Sequence, residues 1–239
     1  MKKLRIIILI LVILKTAMAQ TSPENFSFDL KFGFIKGGEA TFVARDTIID
    51  GDSKLHVTLH AFTTGFAKLL YGVDDRFESV ISTDNLLPLY STKYLQEQKY
   101  RFYNMVKYYH DEDKVHSERS GWYFVDDGIC DVSSMVYNLR HSGKIENLKL
   151  KQIIEMPFWD TDEWYILKMQ FTGIEKVKTR LGTFDCIRLE PLEVSGRFFN
   201  KKNPMNIWIT NDVRKLPVLM ELNFTIGSVR CELKQADSK

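Results

Sequence analysis

The histidines are the first residues to test for catalysis or metal binding. His56 and His60 lie four positions apart, a spacing that would place both on one face of a helix. The surrounding residues alternate between apolar and polar, which predicts a strand, and four strand residues span about 13 Å. One ion cannot readily bind both rings directly at that separation. His110 and His116 flank an acidic turn and are expected to be exposed, so we predict neither a metal site nor a cofactor.

Nucleophile and acid motifs are missing from the sequence. It contains no Gly-x-Ser-x-Gly elbow and no phosphate-binding loop. The acidic pairs Asp74-Asp75 and Asp126-Asp127 consist of adjacent residues, which point to opposite faces of a strand. The oxygen-rich stretch Asp160 to Glu163 lacks the spacing of a calcium loop and is expected to be solvated. We predict no catalytic residue; a hydrolase that uses carboxylates distant in sequence is the less favoured alternative.

Three cysteines, Cys130, Cys186 and Cys231, are spread through the chain. They form no close-spaced pair, so the sequence indicates no zinc or redox motif. Cys186 and Cys231 each lie in a strand-like segment and could be neighbours across a sheet, where an oxidising compartment would permit a disulfide. Burial of both as small apolar core side chains is an interpretation at least as well supported.

Aromatic side chains recur at alternate positions of several predicted strands. Tyr100 and Phe102 share one strand face, as do Trp122 and Phe124. A curved sheet with this much bulky apolar surface can enclose a cavity for a hydrophobic ligand. Ordinary core packing explains the same pattern. Under the ligand hypothesis, the candidate binding residues on the inner faces are Phe32, Phe42, Tyr100, Phe102 and Trp122.

The scaffold that positions these side chains is predicted to consist of antiparallel strands. From Phe26 to Phe34 the even positions are apolar and the odd positions polar or glycine, which is typical of a strand with one buried face. Lys36-Gly37-Gly38 is predicted to turn the chain into a second strand. Further short strands follow at regular spacing. The expected fold is all-β and mainly antiparallel, a curved sandwich or open barrel, formed by residues 20–239 as one β-rich domain.

One segment, residues 131–141, has the pattern of a short α-helix packed on this sheet. Asp131 is a favourable N-cap, and Arg140 and His141 complement the helix dipole in the last turn. Apolar residues recur at spacings of three and four. We expect this stripe to be buried against the sheet; its members are Val132, Met135, Val136 and Leu139.

The first 19 residues have the three parts of a secretory signal peptide. Basic residues precede the apolar run Ile6 to Leu14, and Ala17-Met18-Ala19 forms a small-x-small cleavage site. This run is much shorter than the roughly 20 residues of a membrane-spanning helix. We expect residues 1–19 to be cleaved, leaving a periplasmic or otherwise extracytoplasmic protein that is soluble rather than membrane-spanning.

The charge balance changes when this segment is removed. Four of the 33 Lys and Arg residues lie within it, so the remaining 29 oppose 31 Asp and Glu residues and give a net charge of about −2. A chain this close to neutrality has no net positive charge with which to attract nucleic acid. We therefore expect no nucleic-acid partner.

Several short motifs follow one another through most of the chain. They are Gly37 to Ala40, Leu70 to Phe77, Leu86 to Pro88, Asp131 to Arg140, Leu181 to Cys186, Ile207 to Asp212 and Leu216 to Val218. In this order they resemble the bacterial family called domain of unknown function 3108. The resemblance implies a secreted, β-rich envelope protein and supplies no catalytic residue. It also implies that the Arg140 guanidinium anchors a carboxylate or carbonyl of the sheet, with surface charge as the alternative, and Arg140 joins the ligand-binding candidates.

The leading functional hypothesis is a non-enzymatic periplasmic binding or envelope-accessory protein that holds a lipid or other apolar small molecule. It rests on the export signal, the aromatic strands and the missing catalytic motifs. The alternative places the function on the outer surface, in the assembly of an envelope protein partner. Trp159 and Trp164, in an acidic loop, are the candidate contacts for that partner, and packing within the loop is the favoured alternative for both.

Overall fold

The computed structural model describes residues 23–193, 205–224 and 227–237, and the predicted signal peptide lies outside them. In this part of the chain, fourteen strands form one antiparallel sheet, with two α-helices and a 3₁₀ turn at His110–Glu112. None of the described helices is long and apolar enough to cross a membrane. The helices are α1 Gly65–Leu70 and α2 Val132–His141. The strands are β1 Glu24–Phe32, β2 Ile35–Ile49, β3 Asp52–Thr63, β4 Asp74–Ser82, β5 Pro88–Glu97, β6 Tyr100–Tyr109, β7 Lys114–Ser117, β8 Gly121–Phe124, β9 Ile153–Asp160, β10 Glu163–Thr179, β11 Gly182–Glu193, β12 Met205–Thr210, β13 Pro217–Phe224 and β14 Gly227–Asp237.

The sheet is built from two meanders joined through its first and last strands. Strands β1 to β8 pair in sequence order, strands β9 to β14 do the same, and β1 pairs with β14. Leu30, for example, lies opposite Cys231 in the β1–β14 ladder. Strands β8 and β9 are left as the two edges. The predicted all-β, mainly antiparallel class is confirmed, and of the two predicted forms the sheet is an open barrel.

Side chains close the seam between the two halves of the sheet. The β9–β10 turn reaches across to the other meander, where Ser117 donates a hydrogen bond to Asp162 over 2.7 Å and Lys93 is ion-paired with Asp160. The ring of Trp159 packs edge-on against Tyr123, with centroids 5.1 Å apart. The stretch Asp160 to Glu163 is a turn in which Thr161 and Glu163 are exposed, as predicted. The two aspartates also bond across the seam, which the sequence did not indicate.

Burial of Trp159 also bears on the predicted surface contacts. Its side chain belongs to a core cluster that includes Val106 and Val115, and Trp164 packs partly buried against the same cluster. These two rings stabilise the seam, which leaves little of Trp159 for an outside partner. In this structure the two nearby tryptophans help to close the sheet.

The core confirms the alternation predicted from Phe26 as far as Leu30, whereas Phe32 and Phe34 are exposed at and beyond the end of β1. Phe26 and Phe42 lie opposite each other in the β1–β2 ladder, and their rings stack at 5.9 Å. Both are fully buried, together with Leu55 and Val57 of β3. Burial of these apolar side chains on the concave face, at about 25 cal/mol per Å² of apolar area, favours the curvature of the sheet.

The first hairpin is present, but its predicted turn is misplaced. The chain turns at Gly33 and Phe34, whereas Gly37 and Gly38 lie inside β2. A Cβ on Gly38 would come within 2.5 Å of the Phe62 carbonyl oxygen. The glycine is needed for this close approach between β2 and β3 rather than for a turn.

Helix α2 begins as predicted, yet it is buried differently. The Asp131 side chain accepts hydrogen bonds from the amides of Ser133 and Ser134, and Ser134 completes a capping box. Of the predicted apolar stripe, only Leu139 is buried, and the other three side chains are half-buried. The stripe faces an internal cavity, while the opposite face is covered by the sheet. That covered face carries Ser133, Ser134, Tyr137, Asn138 and Arg140.

The predicted Cys186–Cys231 disulfide is not formed. Both residues, and Cys130, are free thiols. Cys186 lies in β11 and Cys231 in β14, and two strands separate these in the sheet, whereas adjacent strands are about 4.8 Å apart. Burial raises the pKa of Cys186 to about 11 and that of Cys231 to about 12. The core interpretation of these cysteines fits the structure.

Candidate functional site

A cavity of about 500 Å³ lies between helix α2 and the inner face of the sheet. One wall is the α2 stripe, and the facing wall comes from strands β9, β10, β12 and β13, with two residues of β3 and β4 beside them. The cavity is overwhelmingly apolar. Its uncharged lining residues are Leu59, Phe77, Val132, Met135, Val136, Leu139, Phe158, Tyr165, Leu167, Met169, Met205, Ile207, Ile209, Pro217 and Met220.

Four methionines give this lining an adaptable character. They come from four different elements: Met135 from α2, Met169 from β10, Met205 from β12 and Met220 from β13. A thioether on an unbranched chain has three rotatable bonds and a polarisable sulfur, so it adjusts to apolar surfaces of different shape. The cavity wall can therefore accommodate more than one apolar ligand.

A paired charge lies beside the N-terminus of α2, where Lys93 and Asp160 line the cavity. The Lys93 ammonium is ion-paired with Asp160 and donates a hydrogen bond to the Thr161 hydroxyl over 2.7 Å. It also lies 5.7 Å from the ring centroid of Phe77. The pair is the polar corner of an otherwise apolar cavity, and we call it the Lys93–Asp160 corner.

Arg140 lines the other end of the cavity and is fully engaged with the protein. Its two terminal nitrogens donate to the carboxylate of Glu24 over 2.7 and 3.0 Å. Further hydrogen bonds go to the carbonyls of Lys215 and Arg214, and the guanidinium lies 4.7 Å from the Phe26 ring centroid. Arg140 anchors a carboxylate of β1 and two carbonyls of the β12–β13 turn, which agrees with the anchoring role implied by the family resemblance.

The acidic partner of Arg140 is strongly perturbed. Burial by itself raises the pKa of Glu24, but hydrogen bonds from His141 and Arg140 outweigh it and lower the pKa to about 2. His141 lies 3.2 Å from the carboxylate. Because the Glu24 charge already balances that of Arg140, this pair closes the end of the cavity without presenting a free charge to a ligand.

The predicted ligand-binding residues are mostly elsewhere. Of the six, only Arg140 lines the cavity. Phe42 is packed in the core against Phe26, and Phe102 lies in a separate hollow of about 30 Å³. The other three, Phe32, Tyr100 and Trp122, are each more than half exposed, so their expected position on an inner face is wrong.

The three exposed aromatics share a physical reason for their position. Phe32 and Tyr100 are terminal residues of their strands, beyond the reach of the core, although Tyr100 shares parity with the buried Phe102. Trp122 lies in the short edge strand β8, where its ring packs against Tyr109 and His116. An odd or even position along a strand shows which face a side chain lies on. It does not show where along the strand that face extends beyond the core.

The cavity residues missed from the sequence have one partial signal. Met205, Ile207 and Ile209 alternate along β12, so their common face is recognisable as apolar. Tyr165, Leu167 and Met169 alternate likewise along β10, and β9 and β13 each contribute two further residues. Only the curvature of the sheet brings them opposite α2.

Two acids, Asp131 and Asp160, line the small hollow and are the candidates for a hydrolytic pair. Asp131 accepts hydrogen bonds from the hydroxyls of Ser79 and Ser134 over 2.5 and 2.7 Å, and burial raises its pKa despite them. Asp160 is bound to Lys93. Both carboxylates thus have structural partners, and the arrangement gives no support to the hydrolase alternative.

Four of the five histidines contact acids or backbone individually, and His116 packs against the Trp122 ring. His56 lies 3.1 Å from Glu78, and His60 lies 2.7 Å from Asp74. His110 bonds to the carbonyl of Pro88. Within residues 23–193, 205–224 and 227–237, no three His, Cys, Asp or Glu side chains are grouped so that they could hold a metal ion.

Comparison with known proteins gives a family and a fold. The sequence model of a family described as "Protein of unknown function (DUF3108)" matches residues 27–234, which confirms the resemblance inferred from the motifs. No curated protein matches the chain. A crystal structure of a beta-barrel-like protein from Brucella abortus, of domain of unknown function DUF1849, is similar with a TM-score of 0.60. The two chains are 11% identical, and the match covers 92% of this chain and 99% of that one.

Proposed function

Since this chain belongs to the family of proteins of unknown function DUF3108, whose description specifies no activity, we propose a function from the cavity: it is a non-enzymatic carrier that holds a lipid or another apolar small molecule. The observation that supports this proposal is the cavity of about 500 Å³ between α2 and the sheet. Ligand sites in proteins commonly measure about 300–1,000 Å³ and are mostly apolar with a few placed polar groups.

The driving force for binding is removal of apolar surface from water. Each methylene of an acyl chain buried among these side chains contributes about 0.8 kcal/mol. The three half-buried residues of the α2 stripe, Val132, Met135 and Val136, present apolar surface that a ligand would cover. An apolar cavity with flexible methionines suits a chain-like ligand better than a rigid polar one.

The charged residues suggest how an amphipathic ligand is oriented. Arg140 and the Lys93–Asp160 corner lie near opposite ends of α2, which a helical rise of about 1.5 Å per residue separates by about 12 Å. Arg140 is neutralised by Glu24. Lys93 is paired as well, but its side chain and that of Asp160 keep 19% and 31% exposure, against 1% for Arg140. We therefore place the polar head of the ligand beside the Lys93–Asp160 corner and the tail toward Arg140.

The proposed location of this carrier is the periplasm, or another space outside the cytoplasm, after removal of residues 1–19. The support is the tripartite pattern of that segment. Fractionation of the native host, with N-terminal sequencing of the recovered protein, tests it. Recovery from the extracytoplasmic fraction with Gln20 as the first residue is expected, and a cytoplasmic protein that retains Met1 contradicts it.

Titration with a fluorescent fatty acid tests the carrier function directly. Ile207→Trp and Met135→Trp place a bulky ring in the cavity from opposite walls and should each weaken binding at least tenfold. The matched control is Ile48→Trp, because Ile48 is exposed on β2 away from the cavity; its affinity should equal that of wild type. Binding that is unchanged in both cavity variants, with the fold verified by circular dichroism, would place the ligand elsewhere.

A further inference from the structure

Exposed apolar side chains are concentrated at one end of the open barrel. They belong to three segments: residues 33–38 at the β1–β2 turn and the start of β2, residues 64–72 around α1, and residues 98–101 at the β5–β6 turn and the start of β6. Every large apolar side chain in these segments is at least half exposed, and Phe34 is completely so. The set comprises Phe34, Ile35, Phe66, Leu69, Leu70, Tyr71 and Tyr100.

The three segments are joined into one surface by hydrogen bonds. The amide of Thr64 donates to the carbonyl of Gly37 over 2.8 Å, which fixes α1 to the first hairpin. On the other side, Gln98 donates from its amide to Gly72 over 2.7 Å and from its side chain to the carbonyl of Leu70 over 2.8 Å. The apolar residues therefore form a single patch at fixed positions, and we call it the α1 end.

The charged residues within these three segments have one sign, and the adjoining Glu97 accepts a hydrogen bond from the Tyr71 hydroxyl over 3.0 Å. The segments contain four basic residues, Lys36, Lys68, Lys99 and Arg101, and no Asp or Glu. All four are exposed. Lys36 is partly neutralised by ion pairs with Asp29 and Glu39 at the base of the surface. The outer charges are thus positive on a protein whose predicted mature net charge is slightly negative.

The cavity approaches this same end. At its other end, Arg140 is fixed to Glu24 at the start of β1 and to the β12–β13 turn, which lie at the strand ends opposite the β1–β2 turn. Met205, also in the lining, is the first residue of β12 and pairs with Leu222 near the far end of β13. Gly227, just beyond, lies against the Phe32 ring beside the β1–β2 turn. The Arg140–Glu24 pair therefore closes the cavity at the end remote from the α1 end.

We propose that the α1 end docks on the surface of an anionic lipid bilayer, with Phe34, Phe66 and Leu69 inserted among the head groups and the basic residues on the lipid phosphates. The adjoining acids Asp29, Glu39 and Glu97 are each bonded to the protein. Exposed apolar side chains beside exposed Lys and Arg are the composition of interfacial membrane-binding segments. Turn tips and a single short helix project outward rather than forming a groove, which suits a bilayer better than a folded partner. The docking itself does not depend on the proposed carrier function. Only its purpose does, because docking would let the cavity ligand exchange with the membrane.

Vesicle flotation tests the docking with the full mature chain. Wild type is expected to float with vesicles of phosphatidylglycerol and phosphatidylcholine, less with phosphatidylcholine alone, and less as salt rises, because screening weakens exposed charges. Phe34→Ser with Leu69→Ser should reduce the bound fraction at least fivefold. Lys68→Gln with Lys99→Gln should reduce binding to anionic vesicles only.

Two controls separate docking from folding and from the carrier function. Ile48→Ser and Val213→Ser change exposed apolar residues at the opposite end and should float like wild type. Ile207→Trp should float normally even though its cavity is filled, so a failed carrier function leaves this test intact. Equal flotation of wild type and the Phe34/Leu69 variant overturns the proposal, as does wild type that fails to float or that binds a protein through this end instead.

Discussion

The guanidinium of Arg140 satisfies a carboxylate and two backbone carbonyls at once, in a site where its own side chain is almost completely buried. Removing it leaves Glu24 buried with only His141 as a charged partner. Arg140→Ala is expected to lower the free energy of unfolding by about 3–5 kcal/mol. Arg140→Lys should be nearly as damaging, because an ammonium cannot reproduce the fork that binds both carboxylate oxygens.

Urea denaturation of the two variants measures this effect. The matched control is Arg230→Ala, whose ion pair with Glu221 is exposed and should contribute less than about 1 kcal/mol. If both Arg140 variants unfold at the wild-type urea concentration, the anchor has no energetic role. A Lys variant close to wild type would show that charge alone, without the fork, is sufficient.

The lowered pKa of Glu24 predicts how the stability contributed by the Arg140–Glu24 pair changes in acid. In the folded chain this pKa, about 2, is below its usual value of 4.5, so the unfolded chain binds the proton more tightly and ionised Glu24 stabilises the fold. This contribution is complete above about pH 4.5 and is lost as the pH falls toward 2; linkage puts it at about 3 kcal/mol. Unfolding free energies of wild type and Glu24→Gln, measured from pH 6 to pH 2, should therefore converge in acid. A constant difference over that range contradicts the assignment.

Helix α2 forms one wall of the cavity, and its N-cap residue, Asp131, fixes the start of the helix. Asp131 holds the first-turn amides and also the hydroxyls of Ser79 and Ser134. Asp131→Ala should therefore lower the free energy of unfolding by about 2–4 kcal/mol, which is more than the roughly 1 kcal/mol lost with an ordinary N-cap. Thr64→Ala is the matched control, because Thr64 precedes α1 without a capping side-chain bond. Equal, small losses in the two variants would contradict this role.

The two faces of α2 can be compared in the same way. Leu139 is buried, whereas Met135 is half-buried at the cavity. Leu139→Ala should cost about 2–5 kcal/mol, and Met135→Ala should cost clearly less because it enlarges a cavity that is already present. Similar losses would mean that the stripe is ordinary core and that the cavity is closed in solution.

Local signals in the sequence specify this helix and most of the strands. The cap at Asp131, the helical spacing after it and the alternation from Phe26 all act over a few residues. The structure confirms the cap and the helix, and it confirms the alternation as far as Leu30. The orientation of the helix is different, because it depends on the distant strands that surround it. An apolar stripe predicts contact with apolar surroundings, and it fits a cavity wall and a packed core equally well.

At the scale of the whole molecule, the candidate site is a product of curvature. The seam bonds of Ser117 and Lys93 to the β9–β10 turn bring the two meanders together, and this encloses the space beside α2. The sequence contains no local mark of that pairing, since the partners are 45 and 67 residues apart. The aromatic alternation therefore indicated a curved apolar sheet correctly but pointed to Phe32, Tyr100 and Trp122 rather than to the methionine-lined cavity.

Native mass spectrometry of the protein purified from its own host is the most direct test of the carrier function. We expect wild type to carry a one-to-one adduct that organic extraction removes and that is amphipathic or apolar. Ile207→Trp, purified in parallel, should lack the adduct, and Ile48→Trp should retain it. A wild-type protein that is consistently empty, or an adduct that persists unchanged in Ile207→Trp, would contradict the proposal that this cavity holds the ligand.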